Sequence, residues 1–335
     1  MTDSNSPSQK LRLLYIADIL TKKSDENHPL NSTQIVNILK DEYNIVCERK
    51  AVYDSIDCLL EYGYDIVRSQ KPRGYFLASG LFELAELRLL IDAVQAADFI
   101  SAKKTKQLLK KFSAFTSEYQ YGRIIKQIYV DSRNKCSNES LFYIIDTLNS
   151  AIISKKQVIV SYRRRKTSES EGTFYETKKL TVNPYALIWA DDHYYLVGNY
   201  SKYDNLLHLR IDRIKSVEIT EIPARNCAEV SPYQSGFDAA DYAARHISMF
   251  SGDIKPVELI CKNELLEAVT DRFGEKCNMR SFDGEHFLVK VSTAVTEGLI
   301  SWVMQYGDGI KVRSPKVLKD RIIDKTNAIL ALYSG

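Results

Sequence analysis

The sequence is poor in glycine and proline, with 14 and 8 residues among 335, which excludes collagen-like and low-complexity proteins. No stretch approaches the ~18 consecutive apolar residues of a membrane-spanning helix. The first ten residues, MTDSNSPSQK, lack the apolar segment of a signal peptide. The six cysteines form no C-x-x-C pair, which argues against a zinc ribbon, a thioredoxin motif and a disulfide framework. We therefore expect a folded cytoplasmic protein with no membrane partner.

Motifs for catalysis and cofactor binding are also missing. The G-x-G at 307–309 lacks the further residues of a phosphate-binding loop, and the five histidines have no metal-ligand spacing. The segment 101–104 formally matches S-x-x-K, but it lies in a lysine-rich helical stretch, for which a solvated face is the better interpretation. We expect no catalytic residue, no metal and no cofactor, and hence a protein that is not an enzyme.

The apolar periodicity predicts an α+β multidomain chain. Residues 9–80 show three helical patterns, the third at 48–62, followed by two short strands at 64–68 and 74–78. Three helices and a hairpin in this order are typical of a winged helix-turn-helix DNA-binding domain.

The third helical pattern has a basic first turn. Its core face carries Val52, Ile56, Leu59 and Leu60. A recognition helix enters the major groove with its N-terminus first, and the hairpin adds basic residues as a wing. Residues 1–80 nevertheless hold ten Lys and Arg against eleven Asp and Glu, so a winged helix used only for protein contact stays an alternative. The candidate DNA-binding residues are Arg49, Lys50, Tyr53, Arg68, Lys71 and Arg73.

Three further segments follow. Helical spacing at 81–154 predicts a helical linker, and short strands of even spacing at 155–222 predict a small β-barrel. Alternating strands and helices at 250–335 predict a small α+β domain, with a last helix at 316–333.

The barrel segment holds the densest basic cluster, because six Lys and Arg lie at 155–166 with no acid among them. Alternation places His193 and Tyr195 on one strand face, and arginines follow on the next strand and turn. Arginines and an aromatic ring suit a phosphate-bearing ligand. The alternative is a solvated hairpin with Arg213 paired to Asp212 or another carboxylate. The candidate ligand-binding residues are Arg163, Arg165, His193, Tyr195, Arg210 and Arg213.

These segments together resemble the bacterial WYL-domain transcriptional regulators. RKAVYDSIDCLLEYGYDI resembles the recognition helix of that family, and VNPYALIWADDHYYLVGNY and LHLRIDRI are similar to its barrel. Tyr194 stands where the name-giving Trp stands. The family is marked by an Sm- or SH3-like WYL barrel and a C-terminal extension domain.

The resemblance implies a sequence-specific DNA-binding regulator. Its partners would be a double-stranded DNA operator and an anionic nucleotide or single-stranded nucleic-acid effector. We also expect a homodimer, joined by the connector helices at 81–115 and by Leu318, Ile322, Ile329 and Leu332 of the last helix. A nucleotide- or nucleic-acid-processing enzyme and an RNA-binding module are the alternatives that the basic barrel leaves open.

Overall fold

The structure is a computed structural model that describes residues 7–127, 135–168, 172–234 and 236–334. Its contacts divide the chain into two compact units, Met1–Ser137 and Asn138–Gly335. The boundaries of the four segments predicted from the sequence stay predictions. Residues 128–134 of the predicted linker, 169–171 of the predicted barrel and residue 335 lie outside the described residues.

The first unit begins with the predicted three helices and hairpin. Asn31 caps the second helix, and the Gln34 side chain accepts a hydrogen bond from the Asn31 backbone in return. Gly63 ends the third helix with φ of 111°, a left-handed conformation that suits glycine. The elements are α1 (Pro7–Lys23), α2 (Ser32–Tyr43), α3 (Arg49–Tyr62), β1 (Ile66–Gln70) and β2 (Arg73–Leu77).

Aliphatic side chains from all three helices form one core, which includes Ile19, Leu39 and Ile56. The prediction that Leu60 lies on the core face of α3 was wrong, because Leu60 is 45% exposed. Ser55 is buried on the core face of α3 instead of Leu60. Its hydroxyl donates to the carbonyl of Ala51 and accepts from Arg12, so burial leaves no hydrogen-bonding atom unsatisfied.

Residues 84–126 of the first unit form three further helices, as predicted. Leu87, Ile91, Leu109 and Ile124 form its core. The elements are α4 (Leu84–Ala96), α5 (Ala102–Phe112) and α6 (Glu118–Lys126).

The second unit opens with a helix and a five-stranded antiparallel sheet. The strand order is β6-β5-β4-β3-β7, with β6 and β7 at its two ends, and closure into a barrel stays a prediction. The prediction of short strands only was wrong for β4, which is one long strand with an irregular register between Pro184 and Ala186. The elements are α7 (Leu141–Ile153), β3 (Lys156–Ser168), β4 (Gly172–Ala190), β5 (His193–Tyr200), β6 (Leu206–Arg210) and β7 (Ile214–Pro223).

Both faces of this sheet are covered. Helix α7 packs on β3, β4 and β7. The other face carries Ile188, Tyr195 and Val197, which pack against Tyr242 and Met249. These last two residues belong to the stretch at 223–249, which includes α8 (Ala239–Arg245) and which the sequence pattern assigned to no domain.

The C-terminal part forms a four-stranded sheet of order β11-β8-β10-β9 with three helices. The predicted alternation and the predicted last helix are confirmed, and the short strand β9 was missed. The elements are β8 (Ile254–Lys262), α9 (Leu266–Phe273), β9 (Asn278–Ser281), β10 (His286–Ala294), α10 (Glu297–Gln305), β11 (Ile310–Ser314) and α11 (Lys316–Tyr333).

Candidate nucleic-acid interface and ligand site

The first turn of α3 is a positively charged helix end. Arg49 and Lys50 are exposed there. The N-cap residue Glu48 makes no side-chain hydrogen bond to the helix, so no capping side chain satisfies the first peptide N–H groups. Free N–H groups and two cations at one helix end are suited to bind phosphate.

Tyr53 lies one turn further along α3 and is held in place by two neighbours. Its hydroxyl is 3.0 Å from the hydroxyl of Ser32, at the start of α2. Its ring meets the ring of Tyr75 edge-on, with 6.3 Å between centroids. The side chain is 42% exposed, so one side of the ring stays open to a ligand.

The hairpin carries its basic residues at the end away from the core. In the antiparallel register Arg68 pairs with Tyr75, which packs against the core. Arg68 therefore lies on the same face of the hairpin as Tyr75, further from the core. Lys71 lies in the turn and Arg73 in the returning strand, and both are exposed. The hairpin is fixed to the helices because Tyr75 and Leu30 exchange two backbone hydrogen bonds of 2.8 and 2.9 Å.

The remaining exposed surface of α3 is acidic, because Asp54, Asp57 and Glu61 follow its basic first turn. A polyanion can therefore approach only the N-terminal end of α3 favourably. Within the described ranges, none of the five candidate DNA-binding cations has an ion-pair partner: Arg49, Lys50, Arg68, Lys71 and Arg73.

Three of the candidate ligand residues meet on one face of β5 and β6. Tyr195 lies opposite Arg210 in the strand register. The Arg210 Nη1 donates to His193 Nε2 over 2.6 Å. Arg210 also binds both carboxylate oxygens of Asp212, over 3.1 and 2.8 Å.

The surroundings of Arg210 and Tyr195 keep both side chains protonated at neutral pH. Burial disfavours the Arg210 charge, but the hydrogen bonds and charge of Asp212 outweigh burial and raise the pKa of Arg210. Burial raises the pKa of Tyr195, so its phenol keeps its proton at neutral pH and can donate. Because His193 Nε2 accepts from Arg210, a neutral His193 carries its proton on Nδ1, a buried atom without a hydrogen-bond partner among the described residues.

Arg213 follows Arg210 in a short 3-10 turn at Ile211–Arg213 and is exposed. The turn that carries Arg213 packs against β5, the strand of Tyr195, and the Arg213 charge lowers the pKa of Tyr195 in opposition to burial. Asp212 pairs with Arg210, and in the described part of the chain Arg213 has no carboxylate partner. The alternative in which Asp212 neutralises Arg213 is therefore not what the structure has.

Arg163 and Arg165 form a second group on the hairpin of β3 and β4, around Tyr175. Their guanidinium carbons lie 5.2 and 5.4 Å from the centre of the Tyr175 ring. Arg165 also donates to the Tyr175 hydroxyl over 2.9 Å. Arg163 Nε is buried and has no hydrogen-bond partner in the described residues, so this nitrogen is a free donor.

The other face of the same hairpin is partly neutralised. Glu176 lies 3.0 Å from Lys166 and 3.6 Å from Lys178. The basic cluster contains no acid in sequence, because Glu176 comes from the neighbouring strand. The net positive charge of this hairpin therefore lies mainly on the face that holds Tyr175, where Arg163 and Arg165 are.

Three residues of the second unit were not predicted from the sequence, and the first two belong to these groups. Tyr175 and Asp212 were not assigned to the site, although strand alternation places Tyr175 directly opposite Arg165. Arg272 of α9 is the third. Burial lowers its pKa, the charge of Asp191 opposes this, and its Nε is buried without a partner in the described chain.

A cavity of about 490 Å³ adjoins the sheet near the β5–β6 connection, with Tyr242, His246 and Asp253 in its wall. Next to it His208 is bonded to the Tyr242 hydroxyl at 2.8 Å and to the carbonyl of Met249. Burial lowers the pKa of His208 to about 4, so this histidine is neutral at pH 7 and part of the core. The described residues contain no group of three or more side chains suited to a metal ion.

Two family models match the second unit. The WYL domain matches residues 143–219, and the WCX domain matches residues 255–330. These matches confirm the resemblance found in the sequence. None of the curated proteins matches this sequence.

Solved structures show a likeness as well. Proteasome accessory factor B/C (PafBC) of Arthrobacter aurescens is 16% identical, with a TM-score of 0.29, over 99% of this chain. The match covers 49% of PafBC, so this chain spans about half of its length. Among the described residues, no helix has the length and apolar character needed to cross a bilayer.

Proposed function

Since the chain carries a WYL domain followed by a WCX domain, we propose that it is a transcriptional regulator. It binds double-stranded DNA through a winged helix-turn-helix at 9–80 and senses an anionic nucleotide or single-stranded nucleic acid through its WYL domain. We further propose that it is a cytoplasmic homodimer without cofactor and without catalytic activity.

The observation that carries the DNA-binding proposal is the group of unpaired cations at the start of α3 and on the adjacent hairpin. Within the described ranges, Arg49 and Lys50 lie at an uncapped helix N-terminus, and Arg68 and Arg73 extend from the strand pair packed beside it. A helix end in the major groove with a basic wing on the phosphates is how winged helices bind DNA.

Arg213 and Tyr195 support the sensor proposal. Arg213 is a cation without a carboxylate partner in the described chain, and Tyr195 is a neutral donor on the strand β5 against which the Arg213 turn packs. A phosphate that binds Arg213 gains a charge-assisted hydrogen bond without breaking an existing ion pair. Such a ligand changes DNA affinity only as far as it binds the two states of the protein differently, on the order of 1–3 kcal/mol.

In vitro selection tests the DNA-binding proposal and yields the operator sequence at the same time. The full-length protein is incubated with a random duplex library, and the enriched motif is then measured by gel shift. We expect R49A and K50A each to lose about 1–3 kcal/mol where the contact is to a base, or to flatten the salt dependence where it is to phosphate.

Lys40 provides the matched control, because it is an exposed lysine at the end of α2 and outside the proposed interface. K40A should bind the selected motif like the wild type. Equal binding by the wild type and the R49A/K50A double variant would exclude α3 as the recognition helix. Failure to enrich any motif would contradict sequence-specific binding altogether.

A further inference from the structure

One face of α5 is made of lysines. Thr105 and Leu109 are buried on the inner side of the helix, where Leu109 packs against Leu87 and Ile91. The opposite side therefore faces solvent. Its lysine face consists of the exposed residues Lys103, Lys106, Lys110 and Lys111.

The positive charge of the whole chain is concentrated around this helix. Residues 101–127 hold seven Lys and Arg and a single acid, Glu118, whereas residues 1–80 carry one more acid than base. The second unit, 138–335, holds 26 bases and 26 acids, so the net charge of +3 resides entirely in the first unit. The seven cations are Lys103, Lys104, Lys106, Lys110, Lys111, Arg123 and Lys126.

The lysine face is not neutralised by its surroundings. In the described part of the chain, none of its four members forms an ion pair. Lysines three and four residues apart on a helix repel one another, and exposed helices commonly relieve this with Glu or Asp at the same spacing. Helix α5 has no acid at all, so no residue of the helix itself compensates the four lysines of this face.

The spacing of these lysines fits a nucleic-acid backbone. A helix rises about 1.5 Å per residue, so Lys103 and Lys110 are about 10 Å apart along the axis. One strand of duplex DNA carries a phosphate every ~3.4 Å of axis, and about three phosphates therefore fall within this length. A membrane-binding helix would present apolar side chains beside its lysines, but Leu109 is buried and Phe112 packs against the same core.

We propose that the lysine face of α5 binds the phosphate backbone of DNA without reading its sequence. This inference rests on the proposed function and adds a second contact to it. A winged helix with a net charge of −1 gains little from long-range attraction to DNA, and α5, in the same folded unit, supplies the missing cations.

The salt dependence of binding to a random-sequence duplex of about 40 base pairs tests this inference. The variant K103Q/K106Q/K110Q removes three charges and keeps residues of good helix propensity. Each phosphate contact contributes a slope of about −0.9 in log K against log salt, so the variant slope should be shallower by about 3. Between 50 and 200 mM salt the wild type should lose about 40-fold more affinity than the variant.

The matched control is K215Q/K276Q/K311Q, which removes three exposed lysines from the second unit. It should keep the wild-type slope, and circular dichroism should show the same helix content for all three proteins. A lysine-face variant with the slope of this control would overturn the inference.

Further outcomes separate this inference from the proposed function. If the lysine-face variant selects the same DNA motif with a reduced salt slope, both proposals hold. If the wild type selects a motif and the variant slope is unchanged, only the lysine-face proposal fails. If regulation in cells is lost while the variant's DNA binding is unchanged, the face serves an acidic protein partner, and the proposal is wrong. If no motif is selected, the proposed function fails, while the salt slope on random duplex still decides the lysine face.

Discussion

Arg210 and Arg213 are three residues apart and carry the same charge, yet their surroundings differ. Arg210 is bound by Asp212 and donates to His193. Arg213 is exposed and has no ion pair within the described ranges. A ligand phosphate would compete with Asp212 at Arg210 but would meet an unneutralised charge at Arg213. We therefore infer that Arg213 contributes more to anion affinity and that Arg210 positions His193.

This difference predicts the effect of single substitutions on nucleotide binding. We expect R213Q to weaken binding by about 1.5–3 kcal/mol, the contribution of a hydrogen bond to a charged group. Y195F should remove one donor and keep the packing. Tyr195→Ala is unsuitable, because Tyr195 is buried and its loss would cost about 3–5 kcal/mol of stability. Calorimetry with mono- and oligonucleotides gives the affinities.

The exposed lysine Lys215 on β7 gives the control for this experiment. K215Q should bind nucleotides like the wild type and should unfold at the same temperature. Equal nucleotide affinity in R213Q and wild type would remove Arg213 from the site and would leave it as a solvated surface residue.

Sequence patterns predicted the residue positions in α3 well, apart from its fourth core position. The helical period identified Val52, Ile56 and Leu59 as buried. It could not identify Ser55, because a buried serine needs partners, and one of them, Arg12, comes from α1. Hydropathy alone favours burial of Leu60 over burial of Ser55. In the structure Ser55 can be buried because its hydroxyl has hydrogen-bond partners.

At the scale of elements, a small polar cluster joins α6 to the loop that follows α1. Asp25 is buried there and accepts hydrogen bonds from Ser117 at 2.7 Å and from His28 at 2.8 Å. The His28 ring stacks on Tyr119 with 3.7 Å between centroids. The linker helices are thereby fixed to the three-helix domain within the first unit.

Substitution of Asp25 should show how much this cluster contributes to the free energy of unfolding. Burial opposes ionisation of Asp25, but the hydrogen bonds from Ser117 and His28 outweigh burial and lower its pKa. A lowered carboxyl pKa stabilises the fold above the unfolded pKa of about 3.9, and this stabilisation is lost as pH falls through the folded pKa. We expect D25N to lose about 1–3 kcal/mol of unfolding free energy at pH 7.

Urea unfolding curves of the first unit, recorded between pH 3 and 7, give the unfolding free energies of the wild type and D25N. The difference between wild type and D25N should begin to shrink below about pH 4, where Asp25 of the unfolded chain takes up a proton, and should shrink further as pH falls towards the lowered pKa of the folded state. D57N removes an exposed acid of α3 and should change stability by no more than about 0.5 kcal/mol. A constant difference across this pH range would show that ionised Asp25 is not what stabilises the junction.

The elements themselves could be predicted where the apolar period was strong. The helices at 141–153 and 316–333 agree with the prediction. The strand β9 was missed because its four residues are largely exposed and carry no alternation. The described residues of 224–249 form short helices and turns, some of which cover the Tyr195 face of the sheet, and they have no pattern long enough to reveal this packing.

At the scale of the whole molecule, the predicted homodimer needs one correction to its contacts. Leu318 is fully buried in the core of the C-terminal part, so it is not available to a second copy. Ile329 and Leu332 lie near the end of the same helix and are 41% and 79% exposed. The end of α11 is therefore the part of this helix that a dimer contact would use.

We expect I329E/L332E to dissociate the dimer at micromolar concentration and to weaken binding to the selected DNA motif, because two half-sites are bound best by two joined domains. Sedimentation with and without DNA measures the state of the protein. Y203E, at an exposed hydrophobic position outside α11, is the control and should leave the dimer intact. A wild-type protein that sediments only as a monomer under both conditions would refute the dimer.

The long strand β4 also determines how this domain can be divided. Val182 pairs with Val158 of β3 on one side and with Tyr200 of β5 on the other, so β4 joins the β3 and β5 parts of the sheet. Strand β3 also pairs with β7, so a fragment that ends inside β4 would leave one side of β3 with unpaired N–H and C=O groups. The domain thus has no place in β4 where it could be cut into two independently folding pieces, and an expression boundary or a split-reporter site belongs before β3 or after β7.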